Sequence, residues 1–562
     1  MHADLLTPYE KGNKNQTVQW EECISFYQML ASRYPQALRF FEIGTSDGGT
    51  SMHAGVVSSD GVFDQAELKR NARPVFFNNN GIHPGEPEGI DACMALVRDF
   101  CVDDARRAAL KNVVFLFIPI YNVDGCLNRN NSSRVNQLGP ESFGFRGNSL
   151  HLDLNRDFIK CDSLSAQTFN QFFTSWDPDV LVDTHTSNGA DYSYTMTVIQ
   201  TQADKLGGEL TPFVRNILMP ELSKNMATRG WPFCPYVNPV DGTPDHGIED
   251  FLETPRFSTG YAALSHTIGF MPETHMLKPY ADRYDSMRAF VESVLDFTTE
   301  RASEIQALRV LARQKKHGAV THPVKWVIDR STVSKFKFKG FAAVYSPSKL
   351  GNYTRLSYDQ NQPWEKEIDC YDQFVPQVTV SVPSSYVIPQ EWREVIHRME
   401  WNKVVMQRAT ESRQQEVQIY HISEVRTRAS PYEGHMFHDD VVLEARTEIV
   451  TIKVGDYIAS TDQKASRYVI ETLEPQAHDS FFRWGFFNSI LEKKEAFSDY
   501  VFEDTAVELL EAEPALKILF ENWKRDNPNL VDNQQEILDF IFANCQRFHE
   551  PEWRRYPIFR LV

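Results

Sequence analysis

The chain has 562 residues, 42% of them hydrophobic and 24% charged, with a formal net charge of -18. That length is more than one core serves and implies two or three units of roughly 100–300 residues, while the composition excludes a disordered or low-complexity chain. The acidic balance argues against a nucleic acid as main partner, because phosphate contacts need a basic surface that releases counterions.

The N-terminus, MHADLLTPYEKGNKNQTVQW, has neither a basic n-region nor an apolar h-region. The longest apolar stretch, Val113 to Ile120, is interrupted by Pro119 and is far too short to span a bilayer. The expectation is a soluble chain without a membrane partner, cytoplasmic as it stands, or periplasmic or secreted if a signal peptide has been removed. The eight cysteines are scattered and form no CxxC, so they read as reduced, buried small hydrophobes.

Over the first three hundred residues, strand-like and helix-like segments alternate as in an α/β domain. Strands are expected at Arg39 to Ile43, Pro74 to Asn78, Val113 to Ile120, Val180 to Thr184, Tyr194 to Ile199 and Thr267 to Pro272. Most are continuous apolar runs, the pattern of strands covered on both faces. Helices are expected at Glu21 to Arg33, Glu88 to Phe100, Ala166 to Ser175 and Pro212 to Ala227, with a long one from about Ala281 towards Gln314. The fold class that follows is α/β, an α/β/α sandwich with a mixed central sheet.

A polar, basic stretch, Arg313 to Gly318 (RQKKHG), reads as a boundary. Strands are expected after it at Val324 to Ile328, Val378 to Val382, Val417 to Ser423, Ile449 to Val454 and Tyr468 to Glu471, then helices at Phe486 to Phe497, Ala506 to Asn522 and Gln534 to Phe548. The expected organisation is a first domain over 1–316, a β-rich domain over 317–475 and a helical C-terminal extension over 476–562.

A catalytic zinc site takes three protein ligands from N, O and S and leaves the fourth position to water. A His-x-x-Glu pair occurs five times, at His83/Glu86, His246/Glu249, His397/Glu400, His421/Glu424 and His549/Glu552, so the motif alone discriminates nothing. By composition alone the segment around His83 and Glu86 reads as a polar strand-to-helix turn with Glu86 as a helix-start acid. Its position adds more: Asn78 to Gly89 (NNNGIHPGEPEG) directly follows an apolar strand and precedes a helix, where open α/β sheets bind ligands. Gly81, Pro84, Gly85 and Pro87 forbid a helix there, so the two side chains converge through a tight loop. A third ligand should come from another strand end, and His185 follows Val180 to Val182.

The segments Gly81 to Glu86 (GIHPGE), Asn122 to Gly125 (NVDG), Phe145 to Gly147 (FRG), Asp153 to Arg156 (DLNR), Asp183 to His185 (DTH) and Phe270 to Glu273 (FMPE) stand in a fixed order. In that set, over roughly the first 300 residues, the chain resembles the zinc metallocarboxypeptidases of carboxypeptidase A type, in a bacterial branch similar to the cytosolic carboxypeptidases. The resemblance implies one zinc per chain held by His83, Glu86 and His185, with Asp153 hydrogen-bonded to His83. It implies Glu273 as general base and Arg146, nine residues before Asn155, as the arginine that polarises the scissile carbonyl, with Arg129 and Arg134 as rivals. Asn155 and Arg156 would grip a substrate carboxylate. The family's digestive members carry a mobile Tyr before the base; the corresponding stretch here, Thr254 to Tyr261, offers Arg256 or Tyr261 or neither.

The implied activity is removal of a C-terminal amino acid from a peptide by metal-activated water. Two other functions use the same residues: zinc-dependent deacylation of an N-acyl amino acid, as in the aspartoacylase and desuccinylase group, and noncatalytic binding on the same fold. The substrate in either catalytic case is a peptide or N-acyl amino acid with a free carboxylate.

Overall fold

The structure is a computed structural model that describes residues 5–316, 320–548 and 550–562. His549 of the fifth His-x-x-Glu pair and residues 317 and 318 of the expected boundary lie outside the described residues.

The first part is built on strands β1 (Leu38–Thr45), β2 (Ser51–Val57), β3 (Val75–Asn79), β4 (Val114–Ile118), β5 (Val180–Asp183), β6 (His185–Ser187), β7 (Met196–Gln200), β8 (Phe233–Pro235), the two-residue β9 (Asn238–Pro239) and β10 (Ile248–Glu249), and β11 (Ile268–His275). The central sheet runs β1-β2-β4-β3-β5-β11-β7-β8, with β6 paired to β11. β4, β3, β5 and β11 are mutually parallel, and β1, β2 and β7 pair antiparallel, so the sheet is mixed.

The central strands are apolar on both faces, and successive side chains alternate between two cores. Phe76, Phe115, Phe117, Val180 and Val182 pack with the helices Trp20–Arg33, Glu88–Val102 and Tyr280–Glu300. Phe77, Leu116, Ile118 and Leu181 face the other way, towards Phe169 and Phe173 of the helix Leu164–Trp176 and towards Tyr261. This second core does not stop at the first part: Tyr386, Tyr468, Phe481, Trp484 and Tyr556 belong to the same buried cluster.

The strands of the second part are β12 (Thr321–Ile328), β13 (Ser334–Pro347), β14 (Thr354–Tyr371), β15 (Phe374–Ser381), β16 (Ser385–Ile388), β17 (Met406–Arg408), β18 (Arg413–Thr427), β19 (His438–Ile452), β20 (Tyr457–Ser460) and β21 (Phe559–Leu561). Six of them form a sheet ordered β17-β20-β16-β21-β18-β19. The last strand of the chain therefore returns to lie between β16 and β18. Three helices, Asp499–Ala512, Pro514–Asp526 and Gln534–Asn544, close on a small core of their own around Phe502, Leu516, Phe520 and Phe542. Thus β-rich sheets and C-terminal helices follow the mixed α/β part.

Several expected elements differ in the structure, each for a local reason. Tyr468 to Glu471, expected as a strand, lies in the helix Ser466–Leu473, all of whose residues are buried; its Tyr-Val-Ile run is β-prone and the whole element is no longer than a strand. Phe486 to Phe497 forms turns with one 3₁₀ segment, Asn488–Leu491, because Trp484 and Phe487 are drawn into the second core. Ala506 to Asn522 is split between two helices at Glu513, where Pro514 starts the second one and the residue before a proline leaves the helical region. The long helix from Ala281 is interrupted at Arg301, and the expected strand at Val180 to Thr184 ends at Asp183. The strand β2 and the long hairpin β13/β14 were not anticipated: β2 carries Ser, His and Gly, and the hairpin is mostly exposed, so neither presents an apolar run.

The two parts are also joined by charge. Asp177 ends the helix Leu164–Trp176 in a left-handed conformation (φ 52°) and meets Arg309 at 3.0 Å, Arg313 at 2.6 Å and Lys464 at 2.6 Å. Burial would raise its pKa, but these three cations outweigh that and hold it well below the usual carboxylate range. A depressed folded pKa stabilises the fold above the unfolded value of about 3.9 and ceases to do so as pH falls through the folded value. Asp177→Asn is accordingly expected to lose on the order of 2 kcal/mol at pH 7, with the deficit shrinking below about pH 4; urea midpoints of both forms across pH 3–7 measure it.

Candidate metal centre

The site lies at the carboxyl ends of β3 and β5, where the sheet opens. After β3 the chain turns tightly, with Glu86 N–H donating to the His83 carbonyl at 2.8 Å, and enters the helix Glu88–Val102. Gly89 allows the first turn of that helix to press against Thr184: a Cβ there would lie 1.9 Å from Thr184 Oγ1. This close approach sets the loop bearing His83 and Glu86 beside the strand end bearing His185.

Among the described residues, His83, Glu86 and His185 are the group whose ligand atoms, all within 4.8 Å of one another, could hold a metal ion. Glu86 Oε2 is 3.3 Å from His83 Nδ1 and 3.2 Å from His185 Nδ1, and it also accepts from the Thr186 N–H at 2.9 Å. Both imidazoles therefore turn the same nitrogen, Nδ1, towards one point. The far nitrogens are anchored on carboxylates: His83 Nε2 lies 2.8 Å from Asp153 Oδ1, and His185 Nε2 lies 2.9 Å from Asp183 Oδ2. An acceptor at Nε2 favours the proton there and leaves Nδ1 as a lone-pair donor.

Asp183 was quoted in the sequence as part of a motif but not given this partner. The signal was available: along a strand, residues two apart point to the same face, so an acid two places before a ligand His is within its reach.

The electrostatics are strongly coupled. Burial by itself would raise Glu86, but His83, Arg134 and His185 together hold its pKa well below the ordinary value. Burial would likewise lower His185, yet the Asp183 carboxylate and Glu86 keep it well above 6.5. Asp153 is depressed against its own desolvation by His83, Arg146 and Arg156. Glu273 stands opposite His185 in the β11–β6 register and is pushed up to about 7, mainly by burial and further by Glu86, with His185, Arg146 and Arg134 acting the other way.

His83, Glu86, His185 and Glu273 line one open cleft of about 290 Å³ that also holds Asn155, Arg156 and Tyr236. Of the three arginines weighed from the sequence, Arg129 lies elsewhere and donates to the Val18 and Ser142 carbonyls. Arg134 is committed to the site's framework, with Nη1 at 2.7 Å from Glu86 Oε1 and Nη2 at 3.0 Å from the Thr186 carbonyl. Arg146 is held by Asp153 at 2.8 Å, touches Glu86 only at 3.4 Å, and keeps a side chain 45% exposed against 13% for Arg134.

Asn155 Oδ1 accepts from Ser258 N–H, while its Nδ2 faces only the thioether of Met271 at 3.8 Å, a weak acceptor. The Arg156 guanidinium lies 4.4 Å above the ring of Phe257 and donates to the Asn155 carbonyl.

Neither candidate for the mobile tyrosine lines the cleft. Arg256 is paired with Asp479 at 2.7 Å, and buried Tyr261 donates to Asn402 at 2.6 Å. Tyr236, which sequence reasoning did not single out, is the half-buried tyrosine in the cleft; burial and the nearby Glu273 push it up to about 12. Glu253 is buried beside Lys205 and is not in the cleft. The other described His-x-x-Glu pairs stand apart from it: His246 bonds to the Asp241 carbonyl, His397 packs beside Trp401, and His421 pairs with Glu448 at 2.7 Å.

The zinc carboxypeptidase family model matches residues 23–198, a span that contains His83, Glu86, Arg146, Asp153 and His185. The chain is 21% identical over 428 residues to Carboxypeptidase 2 of Trichophyton tonsurans and 20% identical over 426 residues to that of Trichophyton rubrum, each match covering 72% of both chains. Together these matches support a metallocarboxypeptidase-type hydrolase, with the zinc carboxypeptidase likeness of the family model confined to residues 23–198. A match of 72% of the chain holds more residues than the first 316, so the likeness extends past the roughly 300 residues expected from the motifs.

Among solved structures, the carboxypeptidase A of Helicoverpa armigera aligns at a TM-score of 0.38 and 13% identity over 51% of this chain and 74% of that one. A metallo-carboxypeptidase from Burkholderia cenocepacia aligns at 0.37 and 15% over 50% and 70%. No helix among the described residues is long and apolar enough to cross a membrane.

Proposed function

We propose that this chain holds one zinc ion through His83 Nδ1, Glu86 and His185 Nδ1, and removes the C-terminal residue of a peptide. The observation that carries the reading is the convergence of two imidazole Nδ1 atoms on one buried carboxylate, each ring backed by its own Asp, beside a glutamate raised to about 7. Two imidazoles and one carboxylate are a donor set that suits catalytic zinc. When bound, zinc supplies a Lewis acid that polarises the scissile carbonyl and lowers the pKa of water to about 7.

The chain's own residues supply the rest. Glu273, half-buried and facing His185, accepts the proton of the attacking water and passes it to the leaving amine. Arg146 has the exposure needed to reach the carbonyl oxygen as negative charge develops, whereas Arg134 is spent on Glu86. Arg156 offers a planar fork and Asn155 an under-used amide to the terminal carboxylate.

Chelation is expected to abolish hydrolysis of a blocked peptide and added zinc to restore it. By metal analysis after dialysis, His83→Ala and His185→Ala should lose zinc while His421→Ala keeps close to one per chain. Equal zinc in all three would reject this ligand set.

Glu273→Gln is expected to retain zinc and bind substrate, yet to turn over about 10²–10⁴-fold more slowly, because an amide cannot take the proton. Undiminished turnover in single-turnover kinetics would place the base elsewhere.

Peptides with a free terminal carboxylate should be preferred over their amidated forms by roughly a hundredfold or more in kcat/KM, since the amide leaves Arg156 unpaired. Running N-acyl amino acids in the same assay separates peptidase from deacylase; a faster rate on the acyl amino acids would favour the latter.

A further inference from the structure

The loop between β18 and β19 makes a tight turn far from the first part in sequence. Tyr432 and His435 exchange both backbone hydrogen bonds, at 2.8 and 3.0 Å, around Glu433 and Gly434, whose φ values are 49° and 83°. Two left-handed central residues define a type I′ turn, in which Asn, Asp or Gly suits the first position and a glutamate is strained.

The turn is fixed where it sits. Arg256 and Arg428 lie over the Tyr432 ring at 5.4 and 4.6 Å, and His435 Nε2 is 2.7 Å from Asp162 Oδ2. From it, Glu433 reaches across the chain, and its Oε2 accepts the Asp153 N–H at 2.9 Å.

Asp153 is the carboxylate that anchors His83. Its Oδ1 takes His83 Nε2 and the Asn155 N–H, both at 2.8 Å, and its Oδ2 takes Arg146. Its side chain is thus spoken for by the site, and Glu433 secures its backbone amide from outside. A residue ill-suited to its turn but bonded to the site is what a functional constraint leaves behind.

We propose that Glu433 is a positioning residue of the active site: by holding the Asp153 backbone it sets the orientation of His83, so that the β-rich second part completes the metal centre of the first. This rests on the zinc reading above.

The test uses the full chain and three measurements: thermal midpoint without metal, zinc retention against a competing chelator, and kcat and KM on a blocked peptide. Glu433→Asn suits the turn but is one methylene too short to reach Asp153. Its metal-free midpoint is expected at or above that of the native chain. Its zinc retention should fall on the order of threefold to tenfold, below the 10–100-fold typical of losing a direct partner of the ligand, with kcat lowered similarly and KM little changed. Glu433→Gln keeps an acceptor oxygen at the same reach and should restore both. Native zinc retention and kcat in Glu433→Asn would overturn the inference, as would a lowered midpoint in both variants with proportionate loss of activity. Absence of zinc from the native chain would instead sink the metal reading, and this inference with it.

Discussion

A carboxylate as deeply buried as Glu86 can remain ionised only if the protein replaces the water it has lost, and much of the site's architecture is that replacement. Its Oε2 collects two imidazoles and a backbone N–H, and its Oε1 collects Arg134 and, at longer range, Arg146. Three of these partners carry a counterweight: Asp153 behind His83, Asp183 behind His185, Asp153 again behind Arg146. Charge is balanced in layers outward from one oxygen pair, which is why four strand or loop ends must be held in register for the site to exist.

The same balance accounts for the different fates of the two glutamates in the cleft. Glu86 is surrounded by cationic and donating groups and is driven well below the ordinary range, whereas Glu273, with burial and Glu86 against it, rises to about 7. Two carboxyl groups in one cleft are thereby separated into an acceptor of fixed charge and a group that can exchange a proton near neutrality, a division of roles that follows from environment alone.

The second part of the chain is more than an appendage to this cleft. It shares the apolar core on one face of the central sheet, through residues such as Tyr386, Tyr468 and Trp484. It also supplies Asp479, which pins Arg256 next to the cleft residue Phe257, and Glu433, which bonds to Asp153. The walls of the cleft therefore depend on residues more than two hundred positions away, and truncating the chain near residue 316 would remove buried surface and these supports together.

Local pattern by itself determined β3, β4, β5, β7 and β11 of the central sheet, because strands buried on both faces are continuous apolar runs; it missed β2, which has no such run. It also marked His83 and Glu86, through the Gly and Pro punctuation of their loop, and His185, through the end of an apolar run, as residues at strand ends. It could not show which carboxylate or arginine meets which ligand, since Asp183, Arg134 and Tyr236 take their places only when several strand ends are brought together. It misread Tyr468 to Glu471, where a β-prone Tyr-Val-Ile run lies in a buried helix no longer than a strand. Nor could it connect Glu433 to Asp153: their sequence separation of 280 residues is closed by packing of the two parts, and only the tertiary structure decides such a contact.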